Sequence, residues 1–445
     1  MYQDTIAAIS TPVGEGGIGI VRLSGENANN IAMQLFDKSL SDRRLVYGHV
    51  IDPETAETVD EALVAYMAAP HTYTREDIVE INCHGGAASL QRVLGLVLKY
   101  GARSAEPGEF TLRAFLNGRI DLSQAESVLD IVRARTNASL RLAVEGLGGR
   151  LSGEISAMRN ELLSILAYLT ARIDFPDDEV PEQDALGPVQ KVREQLQKLI
   201  DGADAGIVYR QGIRTAIVGR PNVGKSSLLN LLLRQSRAIV TPVPGTTRDT
   251  LEEVVNLNGV PFVLVDTAGI IESRDVVESL GVERSRKAIE QASLVLLVVD
   301  TSEPITEADQ QIFALLGEKI VVAAANKSDL PTAADLSELP WPIIHTSAAT
   351  GDGLESLEVK MVELALGGKV AAPDAFLVTN VRHKEALQRA EEHLSEAQAS
   401  LEKNAPDDFI TIDLTAALDA LGEITGEKVT GDLLETIFSR FCIGK

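Results

Sequence analysis

Residues Gly219–Ser226 read GRPNVGKS, which fits the pattern G-x-x-x-x-G-K-[ST] of a phosphate-binding loop. The run Thr215–Gly219 predicts a buried strand before the loop, and a helix is expected to begin after it. The glycines let backbone N–H groups approach phosphate oxygens, and the helix N-terminus adds a partial positive charge. We therefore expect Lys225 to reach the β- and γ-phosphates of a nucleotide and Ser226 to ligate Mg²⁺.

Further nucleotide motifs follow in order, each at the end of a predicted strand. Asp266 and Gly269 form a D-x-x-G motif, in which the carboxylate holds Mg²⁺ through water and the glycine amide senses the γ-phosphate. Residues 326–329 read NKSD, and Asp329 is placed to accept the N1 and N2 protons of guanine, which adenine cannot supply. Ser347-Ala348 adds a backbone N–H for the base oxygen. The set predicts a GTPase, because an ATPase would lack the NKSD motif.

The residues that would position the attacking water differ from those found in many GTPases. Thr247, in the segment GTTRD, is the expected second Mg²⁺ ligand of a switch loop. Ile270 follows the D-x-x-G motif, where many GTPases have a glutamine that orients water. Isoleucine cannot do this, so either hydrolysis is slow or another group acts. The candidates from the sequence are the acidic side chains Glu272, Asp275 and Glu278, with Arg248 as an alternative charge donor.

Composition limits the classes of protein that remain. The chain has 445 residues, which is too long for one core, so two to four domains are expected. Its net charge of −24 argues against a protein that simply coats RNA. Two cysteines are too few for a disulfide or zinc scaffold. No run approaches the length of a membrane helix, so we expect a cytoplasmic protein with no membrane association.

Four segments differ in their hydrophobic pattern. Residues 1–118 combine predicted strands at Ile18–Leu23 and Ile78–Asn82 with a helical pattern from about Ser89 to Tyr100, which indicates a small α/β domain. Residues 210–370 alternate strands and helices, as a parallel sheet with crossover helices does. Asn258-Gly259 predicts a tight hairpin inside that segment.

Residues 119–209 and 371–445 are helical by pattern. Apolar side chains recur there every three or four residues, which is the stripe of an amphipathic helix. The three stripes are Leu147, Leu151, Ile155, Met158, Leu162, Ile165 and Leu169; Val189, Val192, Leu196 and Leu199; and Leu387, Ala390, Leu394, Ala397 and Leu401. We expect the two segments to pack together as one split helical bundle with the α/β unit inserted between them.

Several motifs outside the nucleotide site resemble one family. They lie at Asp4–Ile9, Gly16–Arg22, Pro107–Gly118, Asp121–Glu126 and the terminal Cys442–Lys445. Together with the GTPase signatures they are similar to the MnmE (TrmE) family of tRNA modification GTPases over essentially the full length. The resemblance implies an N-terminal α/β folate-binding domain, a split helical-bundle domain and an inserted Ras-like P-loop GTPase domain.

The resemblance also implies a reaction and its participants. Members work with an FAD-containing partner and attach an aminomethyl or carboxymethylaminomethyl group to C5 of the wobble uridine in tRNA. A 5-formyl- or methylene-tetrahydrofolate supplies the one-carbon unit. The implied assembly is a homodimer through the N-terminal domains, in which the G domains pair when nucleotide is bound.

Residue roles carry over by match to the family motifs. Arg22, Glu80 and Lys445 would contact folate, and so would Arg119, where the family often has lysine. Arg119 keeps the positive charge of that lysine, but its guanidinium presents the hydrogen-bond donors in a different geometry. Cys442 matches a cysteine that the modification requires.

The resemblance implies that K⁺ compensates for the missing glutamine. The ion supplies positive charge between paired G domains. Asn222 matches the side-chain ligand, Thr246 matches the loop over the ion, and Thr241 and Val243 match backbone-carbonyl ligands. Glu278 matches the acidic residue that positions water. The implied catalytic set is Glu278, Lys225, Thr247 and Gly269. The implied GTP contacts are Asn222, Val223, Gly224, Lys225, Ser226, Ser227, Thr241, Thr246, Thr247, Asp266, Gly269, Asn326, Lys327, Asp329, Ser347 and Ala348.

Two other functions compete with this interpretation. A ribosome-assembly GTPase would use its flanking domains only to bind RNA, but such proteins usually carry a basic appendage, and this chain is acidic. A folate-binding protein whose GTPase gates access to the site is the third possibility.

Overall fold

The structure is a computed structural model that describes residues 4–12, 14–175, 180–236, 253–265, 286–368 and 378–445. The chain folds into two compact units. The first unit combines Met1–Leu129 with Gly422–Lys445, and the second holds the described residues from Asp130 to Leu421. The predicted helical segment 371–445 therefore contributes to both units, and the domain boundaries given above stay predictions.

The first unit contains a six-stranded sheet with the order β3-β4-β5-β2-β1-β6. Neighbours run antiparallel except for the parallel pair β1 and β6. The strands are β1 Ile6–Ile9, β2 Gly19–Ser24, β3 Leu45–Ile51, β4 Thr58–Met67, β5 Ile78–Cys83 and β6 Arg103–Ser104. The two strands predicted from sequence correspond to β2 and β5.

Helices α1 Ala28–Leu35 and α2 Ala87–Lys99 pack on this sheet. Alternate strand residues such as Val21 and Ile81 point into the core that the two helices share. The predicted helix from about Ser89 corresponds to α2. The α/β class expected for this region is confirmed.

Three more helices of the first unit form a separate core with the C-terminal segment. They are α3 Glu109–Leu116, α4 Leu122–Arg133 and α13 Gly431–Phe438. Phe438 and Phe441 stack with ring centroids 5.5 Å apart in this core. Gly108 begins α3 at φ +70°, and a Cβ there would lie 2.7 Å from the Phe438 carbonyl oxygen. The close approach requires glycine, and it fixes the C-terminal segment against α3.

A buried arginine joins three parts of the first unit. The Arg113 side chain is 0% exposed, and its guanidinium lies 2.7 Å from Asp4, 3.2 Å from Glu76 and 3.0 Å from Glu109. Burial raises the pKa of the Glu109 carboxyl, but hydrogen bonds from Arg103, the Glu106 backbone and Arg113 outweigh burial and hold that pKa below its usual range. The stabilisation that the ionised Glu109 gives the fold is therefore present above the pKa of this carboxyl in the unfolded chain. It is lost as the pH falls through the pKa of the same carboxyl in the folded protein.

The helices of the second unit confirm the split bundle. They are α5 Asn137–Leu147, α6 Arg150–Asp174, α7 Leu186–Gln211, α11 Val381–Glu402 and most of α12 Asp407–Thr425. The buried residues of α6 are Leu151, Ile155, Met158, Leu162, Ile165 and Leu169. Helix α11 packs on α7, where Arg193 pairs with Glu391 at 2.6 Å.

One detail of the predicted stripe is wrong. Leu147 belongs to α5 and not to the long helix, because the chain breaks at Gly148-Gly149. Gly149 has φ +79°, which is left-handed backbone that glycine adopts without strain. Hydrophobic spacing continues across the break, so periodicity alone could not locate it.

The second unit also contains a six-stranded sheet with the order β12-β11-β10-β7-β9-β8. Its strands are β7 Ile213–Val218, β8 Glu253–Leu257, β9 Val260–Val265, β10 Leu294–Asp300, β11 Ile320–Asn326 and β12 Ile343–His345. Its helices are α8 Lys225–Ser236, α9 Glu307–Leu316 and α10 Leu354–Ala365, and residues 286–291 are also helical.

The hairpin predicted at Asn258-Gly259 is present. Strands β8 and β9 pair antiparallel across it, and the remaining pairs in the sheet are parallel. Asn258 and Gly259 have φ values of +49° and +91°, as a two-residue turn of this kind requires.

Replacing Arg113 by methionine should destabilise the first unit. The change leaves the carboxylates of Asp4, Glu76 and Glu109 without their shared buried cation, which costs about 3–5 kcal/mol. Urea unfolding of the full chain measures this loss. The control is Lys99→Met, which removes an ammonium 47% exposed and 2.5 Å from the exposed Glu54 and should leave the free energy of unfolding nearly unchanged, because exposed ion pairs contribute little. Equal stability of the two variants would contradict the role of Arg113.

Candidate nucleotide site

The polar residues of the predicted nucleotide site lie where the parallel strands end. Strand β10 stands between β7 and β11, with Leu297 paired to Val218 and Asp300 paired to Asn326. Strand β12 continues the row, with His345 beside Ala325. The loops after β7, β11 and β12 therefore leave the sheet at the same edge, which is where ligands bind in open parallel sheets.

The loop after β7 has the backbone that a phosphate-binding loop needs. Gly219 has φ +151°, and a Cβ there would lie 2.3 Å from the Val298 carbonyl oxygen. Gly224 has φ +101°, and a Cβ there would lie 2.2 Å from Asn326 Nδ2. Asn222, between them, adopts φ +65° although it is not glycine. The two glycines are thus required by close approach, and the loop leads directly into α8.

Lys225 folds back over this loop. Its Nζ donates hydrogen bonds to the carbonyl oxygens of Gly219 at 2.6 Å and Arg220 at 2.7 Å. Burial lowers the pKa of Lys225 to about 8. An arriving phosphate would favour the charged form of this amine, because an opposite charge nearby stabilises it. The lysine is therefore held in place for an anion before one binds.

The carboxamide of Asn326 connects three loops. Its Nδ2 donates to the Val223 carbonyl at 2.8 Å, and its Oδ1 accepts from the Ala348 backbone N–H at 3.0 Å. The side chain is buried, with Asn326 1% exposed. The phosphate loop and the two base-contacting loops are thus tied to one side chain.

The predicted base-contacting aspartate is oriented by a serine. The Ser347 hydroxyl donates to Asp329 Oδ1 at 2.5 Å. Ser347 is 1% exposed, whereas Asp329 is exposed. A buried serine that fixes one carboxylate oxygen leaves the carboxylate able to accept from a ligand at the surface.

Sequence reasoning did not find the acidic partners of two basic residues at this edge. Lys327 pairs with Asp300 at 2.6 Å, and Arg220 pairs with Glu303 at 2.6 Å. Arg220 also lies 3.3 Å from Asp309. The position of Asp300 at the end of a buried strand was the available signal, since a charge there needs a partner.

Of the other predicted site residues, some are described by the structure and some are not. Ser226 and Ser227 lie in the first turn of α8, beside Lys225. Thr241, Val243, Thr246, Thr247, Asp266, Gly269, Ile270 and Glu278 lie outside the described residues.

Two family profiles account for nearly the whole chain. One described as GTP-binding protein TrmE N-terminus matches residues 5–119, and one described as MnmE helical domain matches residues 122–442. The tRNA modification GTPase MnmE of Chloroflexus aurantiacus is 52% identical over 452 residues, covering 100% of both chains. That of Roseiflexus castenholzii is 53% identical over 466 residues, also covering 100% of both.

The chain belongs to the MnmE family of tRNA modification GTPases. It is therefore a GTPase of tRNA modification whose G domain binds GTP, as the sequence predicted. Among solved structures, the G domain of the T. maritima FeoB iron transporter is 32% identical over 34% of this chain and 98% of that chain, with a TM-score of 0.25.

In this MnmE-family chain, the residues predicted to bind folate lie in the first unit. Arg22 and Glu80 face each other across β2 and β5, and Nη2 and Nε of Arg22 lie 2.8 and 2.9 Å from Glu80 Oε1. Arg22 also donates to the Gly444 carbonyl at 3.3 Å, which brings Lys445 next to it. The structure thus pairs Arg22 with Glu80 and brings the backbone of Gly444, the neighbour of Lys445, to Arg22.

Arg119 and Cys442 lie on the same unit. The guanidinium of Arg119 is 4.7 Å from the centre of the Tyr73 ring, and Tyr73 itself hydrogen-bonds Thr111 at 2.9 Å. Cys442 is exposed, and its carbonyl accepts from the Gly108 N–H at 3.4 Å. An exposed thiol is accessible to a partner or a substrate, unlike the buried Cys83.

Replacing Asn326 by alanine should weaken nucleotide binding. The change removes both hydrogen bonds that hold the phosphate loop and the base loops together, so GDP affinity should fall by about 10-fold or more, as expected for the loss of two buried hydrogen bonds. Equilibrium binding of a fluorescent GDP analogue measures it. The control is Asn230→Ala on α8, an exposed asparagine whose loss should leave affinity unchanged. Unaltered affinity in Asn326→Ala would show that the bridge does not hold the site.

Proposed function

We propose that this protein hydrolyses GTP with K⁺ to drive modification of the tRNA wobble uridine. Together with an FAD-dependent partner it installs an aminomethyl or carboxymethylaminomethyl group at C5, using a tetrahydrofolate one-carbon donor. The observation that carries this proposal is identity of about half of all residues to tRNA modification GTPases over the complete length of both chains.

In this proposal, GTP is hydrolysed at the carboxyl ends of the parallel strands in the sheet of the second unit. Lys225 is already held beside the loop and binds the β- and γ-phosphates. Ser226 and Thr247 would hold Mg²⁺, and the ion would supply positive charge to the phosphate oxygens. Asp266 supports this ion through water, and the Gly269 amide senses the γ-phosphate. Glu278 orients the attacking water in place of the absent glutamine, since Ile270 has no polar atom for this task.

Guanine is selected at the other end of the site. The exposed carboxylate of Asp329, fixed by Ser347, accepts the N1 and N2 protons of the base. The Ala348 N–H is the proposed donor to the base oxygen, and it would share this proton with Asn326 Oδ1, to which it donates at 3.0 Å. Lys327, anchored by Asp300, flanks the base loop.

A potassium ion bound at Asn222 would supply the positive charge that an arginine finger brings in other GTPases. Asn222 is exposed and held in left-handed backbone between the two glycines, so its carboxamide oxygen is available at the rim of the loop. A neutral oxygen donor suits a hard cation. Thr241, Val243 and Thr246 complete the proposed ligand set.

Folate binding is proposed for the first unit. Arg22 touches only Oε1 of Glu80, so the second carboxylate oxygen is the proposed acceptor for a ring N–H of the pterin. Arg22 also lies 5.8 Å from the centre of the buried Phe110 ring, which supports the guanidinium from the core side. Lys445 and Arg119 supply positive charge for the carboxylates of folate. Cys442 is exposed in the same unit and takes part in modification.

The proposed assembly has three further components. They are tRNA, the FAD-dependent partner protein, and a second copy of this chain joined through the N-terminal domains, with G domains that pair when nucleotide binds.

Among the described residues, no helix combines the length and apolar composition needed to cross a membrane.

Complementation of a strain that lacks the endogenous protein tests the function. We expect the wild-type chain to restore the C5-modified wobble uridine in tRNA hydrolysates, measured by mass spectrometry of nucleosides. Lys225→Ala should fail, because it removes the amine that binds the phosphates. Unmodified uridine with the wild-type chain present, at normal expression, would reject the proposal.

GTP hydrolysis should be several-fold or more faster in KCl than in NaCl. The expectation follows from the charge that K⁺ contributes to the transition state, where an arginine finger is worth about 10³–10⁵ in rate. Asn222→Ala should abolish the difference between the salts, while Asn230→Ala, an exposed asparagine on α8, should keep it. Equal rates of the wild-type protein in the two salts would eliminate the K⁺ site.

A further inference from the structure

Arg75 and Arg119 are exposed arginines of the first unit that have no acidic partner there. Among the described residues, no carboxylate forms an ion pair with either guanidinium. Glu76, the residue after Arg75, lies 3.2 Å from Arg113 instead. Asp77 accepts a backbone N–H at 2.8 Å. Since acidic residues outnumber basic ones in this chain, 65 to 41, two such guanidinium groups indicate a place for a negatively charged ligand.

The turn at Asn117 and Gly118 brings the two arginines together. Arg75 Nη1 donates to the Asn117 carbonyl oxygen at 2.9 Å, and a Cβ at Gly118 would lie 3.5 Å from the same nitrogen. Arg119 is the next residue, and its guanidinium lies 4.7 Å from the centre of the Tyr73 ring. The guanidinium of Arg75 thus lies against the backbone that leads into Arg119.

The backbone that carries Arg75 is held by its neighbours. Arg75 adopts φ +61°, a left-handed conformation that residues other than glycine rarely adopt. The preceding Thr74 is fully buried. Its carbonyl accepts from Asn117 Nδ2 at 2.7 Å, and its hydroxyl lies 2.6 Å from Ser24 Oγ. The loop is thus ordered by the protein's own contacts, which lowers the entropy cost of binding a ligand.

The positive charges continue toward the proposed folate site. Tyr73 packs in one hydrophobic cluster with Phe110, and Arg22 lies 5.8 Å from the centre of the Phe110 ring. Burial raises the pKa of the Tyr73 hydroxyl, and the charges of Arg119 and Arg22 oppose this rise, so both guanidinium groups lie near that hydroxyl. Arg22, Arg119 and Arg75 therefore form an arginine row on the surface of the first unit.

We propose that Arg75 binds a carboxylate of the γ-linked glutamate tail of a folate, and so selects polyglutamyl over monoglutamyl forms. A monoglutamyl folate has two carboxylates, which the proposed function places against Lys445 and Arg119. Each further glutamate adds one carboxylate, and Arg75 is the next cation of the arginine row. A planar guanidinium binds a carboxylate through two parallel N–H bonds. The inference rests on the proposed folate site.

A short tail suits the surroundings of the arginine row better than a nucleic acid does. Glu76 and Asp77 follow Arg75 directly, and Asp121 lies two positions after Arg119. These carboxylates repel an extended polyanion, which needs many cations along its backbone. A tail that adds one carboxylate per residue needs only single cations.

Equilibrium binding of 5-formyltetrahydrofolate with one and with three γ-linked glutamates to the full-length protein tests this. The wild-type protein should bind the triglutamate about 3- to 10-fold more tightly, between the effects of an exposed ion pair and of a charged hydrogen bond. Arg75→Gln should remove this preference. It should leave the affinity for the monoglutamate within about twofold, because the loss of an exposed charge that this ligand does not contact has little effect. Arg75→Gly, which also relieves the left-handed backbone, should give the same result.

Arg43→Gln is the matched control. Arg43 is also exposed, has φ +57° and donates to a backbone carbonyl, that of His71. Unlike Arg75, it has an acidic partner, since its guanidinium lies 3.7 Å from Asp42. Its replacement should leave the affinities for both folates unchanged.

Equal affinity of the wild-type protein for the two folates, or an unchanged preference in Arg75→Gln, would overturn the inference and leave the folate site in place. An equal loss of the preference in Arg43→Gln would assign it to overall charge and overturn the inference too. A fall in tRNA affinity with an unchanged tail preference in Arg75→Gln would assign Arg75 to RNA instead. Absence of binding of either folate to the wild-type protein would reject the proposed folate site itself.

Discussion

The nucleotide site depends on one buried carboxamide. Asn326 donates to the phosphate loop and accepts from the loop after β12, so two segments more than 100 residues apart in the chain are held by one side chain. If either loop moved, one polar group of this side chain would lose its partner, and an unpaired buried polar group costs free energy. This side chain therefore fixes the positions of the two loops relative to each other.

In the first unit, a buried charged side chain plays the same role of joining distant segments. Arg113 is fully buried and binds carboxylates that come from before β1, from the loop before β5 and from the start of α3. Such a cluster adds less net stability than apolar packing, but its hydrogen-bond geometry allows only one arrangement. It places α3, and with it Phe110, beneath Arg22. The ion network on α3 thus lies close to Arg22 of the proposed folate site.

Much of the fold followed from local patterns. Strands β2 and β5 lie within one residue of the strands predicted at Ile18–Leu23 and Ile78–Asn82, and the six buried positions of α6 matched the predicted stripe, because both depend on spacing along one element. The break at Gly149 was missed, since apolar spacing continued across it. Strands β1, β3, β4 and β6 were also not predicted. They are short or half-exposed, and pairing with other strands of the sheet stabilises them more than their own sequence does.

The sequence by itself determined the chemistry of this protein. Each nucleotide motif is a short run at a strand end, so residue type and order were enough to predict a GTPase. The tertiary structure alone decided which groups meet. Asp300 pairs with Lys327, the C-terminal Gly444 reaches Arg22, and Thr136 reaches Gly259 only because distant segments pack together. Long-range contacts of this kind leave no periodic signal, since their energy comes from burial and hydrogen bonding in the folded chain.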